Sequence, residues 1–272
     1  MVGRFIESYR RWMRRHLLVG KVIGVLEFLI ASGLIIWLLA YNTARLGYDW
    51  QWYRVPRYLY TVDETGFHPG ILLKGLLTTL KISGISLMLS FLIGLTTALL
   101  RLSRSYTAEL LARIYLEGVR NTPLLIQLFV IYFVASPLLG ITPFVSAVLA
   151  LSMFEGAYAS EIIRGGILSI PRGQWEASYS IGLSALDSYR LVILPQALRK
   201  MLPPLAGQAV SLVKDSALVS TIAIFDLTMY GQAVVSETFL TFEIWFIVAA
   251  IYLIVTITLS TLTRLLEKRM RL

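Results

Sequence analysis

EASYSIGLSALDSYRLVILP, residues 176–195, is the stretch on which the reading of this chain turns. It is polar enough for water, with Glu176, Asp187 and Arg190, yet long apolar runs flank it on both sides. The segment around it, 164–200, is too long for a simple turn between two apolar helices. Gly165, Gly166, Pro171 and Gly173 predict a break in the chain ahead of it, because glycine and proline punctuate regular structure. From Gln174 the pattern is helical, with Trp175, Ala177, Tyr179, Ile181 and Leu183 set among small or polar residues. Gly182 interrupts that helix. A second helical run follows, with Ser184 as expected N-cap and Asp187 at N3, a weakened capping box. Pro195 is expected to bend or end it. The product is a projecting helix–break–helix knob. Small residues such as Ala177 and Ser178 permit close approach of another surface, and Glu176 can meet a partner's arginine or a helix N-terminus. The competing reading is a solvated connection with no partner.

The rest of the chain says what the knob projects from. Of its 272 residues, 57% are hydrophobic and 15% charged, well short of the roughly 25% charged residues of soluble domains. The chain has no cysteine, so disulfides, thiolate metal sites and thiol nucleophiles are excluded. His16 and His68, the two histidines, lie in polar flanks, which argues against histidine-based catalysis or metal binding. The formal charge of +9 is explained by basic residues beside apolar spans rather than by nucleic acid.

A helix needs about 20 mainly apolar residues to cross a bilayer. Residues 22–40, VIGVLEFLIASGLIIWLLA, qualify despite Glu27, and the run is too long for a signal peptide core. Further spans are expected near 78–100, 118–139, 143–163, 203–224 and 242–263, which makes six. Arg4, Arg10, Arg11, Arg14, Arg15 and Lys21 precede the first span. Arg101 and Arg104 follow the second, Arg164, Arg172, Arg190, Arg199 and Lys200 lie around the knob, and Arg264, Lys268, Arg269 and Arg271 end the chain. Loops 136–143 and 225–241 carry no basic residue. By the positive-inside rule both termini and the knob are cytoplasmic, and the 41–71 loop is outside. That loop reads YDWQWYRVPRYLY over 48–60, a composition suited to the headgroup region or to an outside partner.

At this point a resemblance becomes specific. Permeases of ABC importers carry a cytoplasmic signature E-A-A, three residues, G, nine residues, I-x-L-P. This chain reads Glu176-Ala177-Ser178, then Gly182, then Val192-Ile193-Leu194-Pro195. The departures are Ser178 for Ala and Val192 for Ile, and the spacing is intact. GLLTTL (75–80), RNTPLLIQL (120–128), GAYASEIIRGGI (156–167), PRGQWEA (171–177), LPQALR (194–199) and LVKDSAL (212–218) follow the order of the polar amino-acid branch of that family. The resemblance covers roughly 67–272. It implies an all-α membrane protein with a five-helix type I importer core over 67–272. Residues 1–66 would then be an addition: a basic N-terminus, an extra transmembrane helix and an outside loop.

The resemblance also implies partners. These are a cytoplasmic ABC ATPase dimer that binds ATP and Mg, a second permease chain (the same or homologous), and a periplasmic or lipid-anchored solute-binding protein. The chain itself would be a non-catalytic subunit in a bacterial inner membrane, carrying glutamate-, glutamine- or histidine-like amino acids. The knob would be the coupling helix, with Gly173, Gln174, Glu176, Ala177, Ser178, Gly182, Leu194 and Pro195 at the ATPase. No G-x-x-x-x-G-K-[ST] phosphate loop occurs in the chain, so ATP would bind elsewhere. A self-sufficient, ion-coupled transporter or channel is the alternative; it would need no knob and often shows an internal repeat, which this sequence lacks. An intramembrane enzyme is disfavoured by the want of a span histidine or a G-x-S-x-G motif.

Polar residues inside spans need partners or a wet cavity. Arg120, Asn121 and Thr122 open the third expected span. Arg120 and Gln127 are seven apart, hence expected on one helical face, while Pro123 disturbs the backbone bonding between them. Glu155 and Tyr158 share a face of the fourth span, with Glu161 on another. Gln208, Ser211 and Asp215 form a stripe in the fifth, beside Lys214. For a zwitterionic amino acid, Glu155 or Glu161 would meet the ammonium and Arg120 or Lys214 the carboxylate. Local pairing of Glu161 with Arg164 and of Lys214 with Asp215 is the competing role. The small run GAYAS at 156–160 is expected to let helices pack closely in lipid.

Overall fold

The structure, a computed structural model, describes residues 17–45, 47–63, 66–103 and 105–270. The basic cluster Arg4–Arg15, Arg104 and Arg271 lie outside the described residues. The chain forms two compact units that divide between Trp50 and Gln51. In the first, α1 (Leu17–Arg45) is a continuous helix whose Val22–Thr43 stretch is long and apolar enough to cross a membrane. Glu27 is exposed on it.

The second unit begins with structure that the expectation of an outside loop did not include. A 3-10 turn (Trp52–Arg54), the short α2 (Pro56–Leu59) and an antiparallel hairpin, β1 (Tyr60–Asp63) with β2 (Gly66–Pro69), lead into α3 (Ile71–Leu102). The backbone N–H of Gln51 donates to the buried Glu243 at 2.7 Å, and Trp52 packs on Phe246. The segment is thereby held to the first turns of the last helix.

Then come α4 (Tyr106–Arg120), α5 (Leu124–Leu139), α6 (Pro143–Leu168), α7 (Arg172–Ser180), α8 (Ala185–Ile222), α9 (Leu227–Thr238) and α10 (Thr241–Met270). Among the described residues, α1, α3, α6 and α10 pass as straight spans, and α4 with α5 and α8 with α9 make bent ones, four to six in all. The third expected span is therefore not one helix: α4 and α5 meet at 105° across Asn121–Pro123. Proline and the polar pair before it open the backbone where a straight helix was expected. The fifth is longer than expected. α8 begins beside the knob, passes through a π-helical turn (Ser188–Ile193), tolerates Pro203 and Pro204, and ends in a 3-10 stretch (Ser216–Ile222).

The core is built on α3 against α6. In α6, 67% of the span window is buried, against 17% in α10, so α6 is enclosed by the other helices and α10 lies at the outside of the bundle. The approach is close because small residues face each other. A Cβ on Gly94 would lie 2.7 Å from Ala159 Cβ and 3.0 Å from the Gly156 carbonyl. Ser152 donates to Val148 O at 2.5 Å and faces Ser86 O at 3.4 Å, satisfying hydroxyls inside the seam. Apolar side chains fill the remainder, with Leu128, Leu151, Leu212 and Ile222 fully buried in one cluster and Ile193, Ala197 and Met201 in another.

Candidate functional site: a projecting knob and two carboxylates on one helix

The knob follows from local capping. α7 ends at Ser180, and Gly182 takes the left-handed conformation at φ 83°. Its N–H donates to Tyr179 O at 2.9 Å and that of Leu183 to Ser178 O at 3.2 Å. That pattern is a Schellman close, in which glycine relieves the strain a side chain would suffer. Ser184 then caps the next helix: its hydroxyl accepts from Asp187 N at 3.2 Å and donates to Asp187 Oδ2 at 2.6 Å. The base of the knob is anchored. Trp175 meets Tyr189 edge-on at 4.7 Å, Gln196 Nε2 donates to Gln174 Oε1 at 3.0 Å, and Lys200 Nζ donates to Ser169 O at 3.0 Å.

Three expectations about this segment change. Gly165 and Gly166 do not break the chain: α6 runs through them to Leu168, and the break falls at Ser169–Pro171. Gly166 instead makes room for Met201, whose Cγ lies 2.2 Å from where a Cβ would sit. Pro195 does not end a helix. α8 runs through it, and the π-helical turn Ser188–Ile193 immediately before it is where the helical bonding adjusts. Ser178 does not face outward. It is buried, donating to Trp175 O at 2.7 Å and sharing a hydrogen bond with Ser188 Oγ at 2.9 Å, so it pins the two arms together. Gly173, Gln174, Glu176, Ala177, Gly182, Leu194 and Pro195 are exposed. Exposed with them at the tip are Ile181 (75%) and Leu186 (76%), apolar side chains that the motif spacing alone did not single out.

Within the helical bundle, Glu155 and Glu161 lie on α6 with different surroundings. Glu155 is buried at 3% exposure and its Oε2 has no hydrogen-bond partner. Its carboxyl faces that of Asp215 on α8. Beside it opens a cavity of about 410 Å³ lined by Ser90, Phe91, Ala159, Leu205 and Gln208, apolar apart from Glu155, Ser90 and Gln208. Glu161 accepts from Arg101, from Arg120 Nη1 at 3.2 Å and from Arg164 Nη2 at 3.2 Å. The expected Glu161–Arg164 pair is present, and two further arginines join it. Arg101, seen in the sequence only as a topological charge, is one of them.

Arg120 and Gln127 do not share a face, because the elbow separates them. Gln127 instead folds back, its Nε2 donating to Val119 O at 2.7 Å, Thr122 O at 2.9 Å and Thr122 Oγ1 at 2.8 Å. Asn121 donates to Glu117 Oε2 at 2.7 Å and Thr122 to Gly118 O at 2.8 Å. These side chains satisfy the carbonyls that the broken helix leaves open. Arg120 also lies over the Tyr158 ring at 5.7 Å. Ser211 and Asp215 are half-buried and Lys214 is exposed; the Lys214 charge acts on its neighbour Asp215, as the local pairing expected, without a close salt bridge between them among the described residues. Among the described residues no three His, Asp or Glu side chains gather as a metal site would require.

Residues 90–272 match the family model described as binding-protein-dependent transport system inner membrane component. The glutamine transport system permease protein GlnP of Escherichia coli (strain K12) is 41% identical over 216 residues, covering 77% of this chain and 98% of that protein. The L-cystine transport system permease protein TcyB of Bacillus subtilis (strain 168) is 39% identical over 210 residues, covering 76% of this chain and 89% of its own length. Among solved structures, one described as an amino acid ABC transporter with histidines superimposes with TM-score 0.69 at 39% identity, covering 73% of this chain and 94% of that one. The MetNI methionine ABC transporter in an inward-facing form gives TM-score 0.58 at 21% identity, covering 71% of this chain and 95% of its own, a likeness of fold.

Proposed function

The chain belongs to the binding-protein-dependent inner membrane components and is the permease of an ABC importer, and from that premise we propose how it is oriented, what it couples to and what it carries. The observation that carries the proposal is the knob: a segment held rigidly at its base by Trp175, Gln196 and Lys200 that exposes Ile181 and Leu186 at its tip. Large apolar side chains fixed in a projecting turn suit insertion into a partner's cleft. The partner is a cytoplasmic ATPase dimer, which binds the ATP and Mg. The lysine and arginine distribution supports cytoplasmic termini and a cytoplasmic knob. A second permease chain and an external solute-binding protein complete the assembly, and residues 1–66 are an addition to the transport core.

The cargo is a polar amino acid. Glu155, buried without a partner for Oε2 and facing Asp215, is the group that meets its ammonium. A charged acid in a bilayer without a cation costs about 2.5–3.5 kcal/mol on insertion scales, and Glu155 is faced by another acid, Asp215, which supports a site that a cationic group of the cargo would complete. Gln208 and Ser211 lie on the same side of α8. The relatives carry glutamine and cystine by their names, which supports the class without choosing a member.

The test is purification of the complex from its own membrane. Wild-type chain is expected to bring down an ATPase. Gly182→Asp, which forces a side chain into φ 83°, is expected to stay inserted but lose that ATPase and ATP-driven uptake. Normal uptake by a stably inserted Gly182→Asp variant would refute the coupling role.

A further inference from the structure

Glu161 joins more elements than a local ion pair requires. Arg101 comes from the last turn of α3, Arg120 is the last residue of α4 before the elbow, and Arg164 lies one turn further along α6. Arg101 and Arg120 both bond Oε1, while Arg164 bonds Oε2. Guanidinium donors exceed acceptors here, and Arg101 Nε is buried with no partner. Two guanidiniums on one oxygen allow one contact to break while the other keeps the carboxylate paired. That avoids the cost of a bare charge during movement.

The surroundings suit a moving joint. Beneath the elbow lies a cavity of about 300 Å³ lined by Gly118, Val119, Thr122, Ile126, Gln127 and Met153. On the other side, α6 runs without interruption from Glu155 through Glu161 to Leu168, and Ser169–Pro171 alone separate it from α7. We propose that Glu161 is a positioning residue for transport: it ties the α4–α5 elbow and the end of α3 to α6, so that displacement of the knob is carried along α6 to the elbow. The inference rests on the reading of the knob as the ATPase contact.

The complete complex, with its ATPase and solute-binding protein, tests it in proteoliposomes. The quantity to measure is substrate taken up per ATP hydrolysed. Glu161→Gln is expected to assemble and hydrolyse ATP at no less than the wild-type rate, with uptake per ATP reduced about tenfold or more, the size of a typical coupling between sites. The exchange Glu161→Arg with Arg120→Glu is expected to recover part of it. Unchanged uptake per ATP in Glu161→Gln would overturn the proposal, as would a fall in assembled complex that alone accounts for the lost uptake. If Glu161→Gln does not assemble, Arg120→Gln takes its place; it leaves Arg101 and Arg164 on Glu161, and an unchanged ratio there would be equally fatal. A wild-type complex whose uptake ignores ATP would instead sink the importer coupling beneath it.

Discussion

Glu155 and Glu161 are the same residue type on the same helix, less than two turns apart, and the fold treats them in opposite ways. Glu155 is the more deeply buried, has no cation at hand and faces another acid, Asp215. Glu161 is more exposed, at 26% for its side chain, and holds three arginines. A span that needed both acids only for packing would neutralise the deeper one first, since desolvation costs it more. The inverse arrangement suggests a division of labour: Glu161 spends its charge on three arginines inside the protein, and Glu155, which shares its site with Asp215 beside an open cavity, is left for a group that comes and goes.

Charge reversal separates the two most sharply. Glu161→Lys puts a fourth cation among Arg101, Arg120 and Arg164. Breaking such a cluster costs on the order of 3 kcal/mol, so the variant is expected to accumulate poorly in the membrane and to melt at a lower temperature in detergent. Wild-type level and melting would remove the distinction. Glu155→Lys should behave otherwise, because its ammonium gains Asp215 as a partner. That chain is expected to accumulate normally while uptake falls about a hundredfold, the new lysine occupying the place of the substrate's own ammonium; one lost charge-assisted contact of about 3 kcal/mol accounts for that factor. Loss of the folded protein instead would assign Glu155 to the scaffold. The milder Glu155→Gln keeps the shape, and the half-saturating substrate concentration of the complex is expected to rise roughly tenfold, or about 1.4 kcal/mol. An unchanged value, measured by uptake at several concentrations, would end the substrate role.

Much of this was legible in the sequence, and the failures have physical causes. Apolar length located the spans, and the capping residues Gly182 and Ser184 marked the knob, since both are local rules. The elbow was not foreseen as an elbow. Pro123 announces a disturbance, but whether a helix kinks or turns by 105° depends on Gln127 folding back onto Val119 and Thr122 and on what Arg120 finds across the bundle. The third arginine at Glu161 was hidden for the same reason: Arg101 is sixty residues away, and charge at a span end reads first as topology. The Glu155–Asp215 facing was invisible because each lies in its own helical stripe, and the register of α6 against α8 depends on packing such as that of Gly166 on Met201 and Ala197. Ser178 misled because exposure was inferred from size.

That serine supplies the smallest and cleanest contrast with Glu161. Both residues join elements, but the Ser178–Ser188 bond at 2.9 Å joins only the two arms of the knob, and nothing in it has to break for the knob to move as a body. Ser178→Ala strands the buried Ser188 hydroxyl, at a cost of about 1 kcal/mol. Ser178→Ala with Ser188→Ala removes both partners and should return most of that loss, so melting temperatures of the single and double variants form a cycle that reports the bond alone. Uptake per ATP should stay within about twofold of wild type in both, because a coupling change that small is under 0.5 kcal/mol. A large drop in uptake per ATP from Ser178→Ala, with melting barely moved, would show that the angle between the knob's arms is itself transmitted. The mechanical role assigned to Glu161 would then have to be shared with the knob.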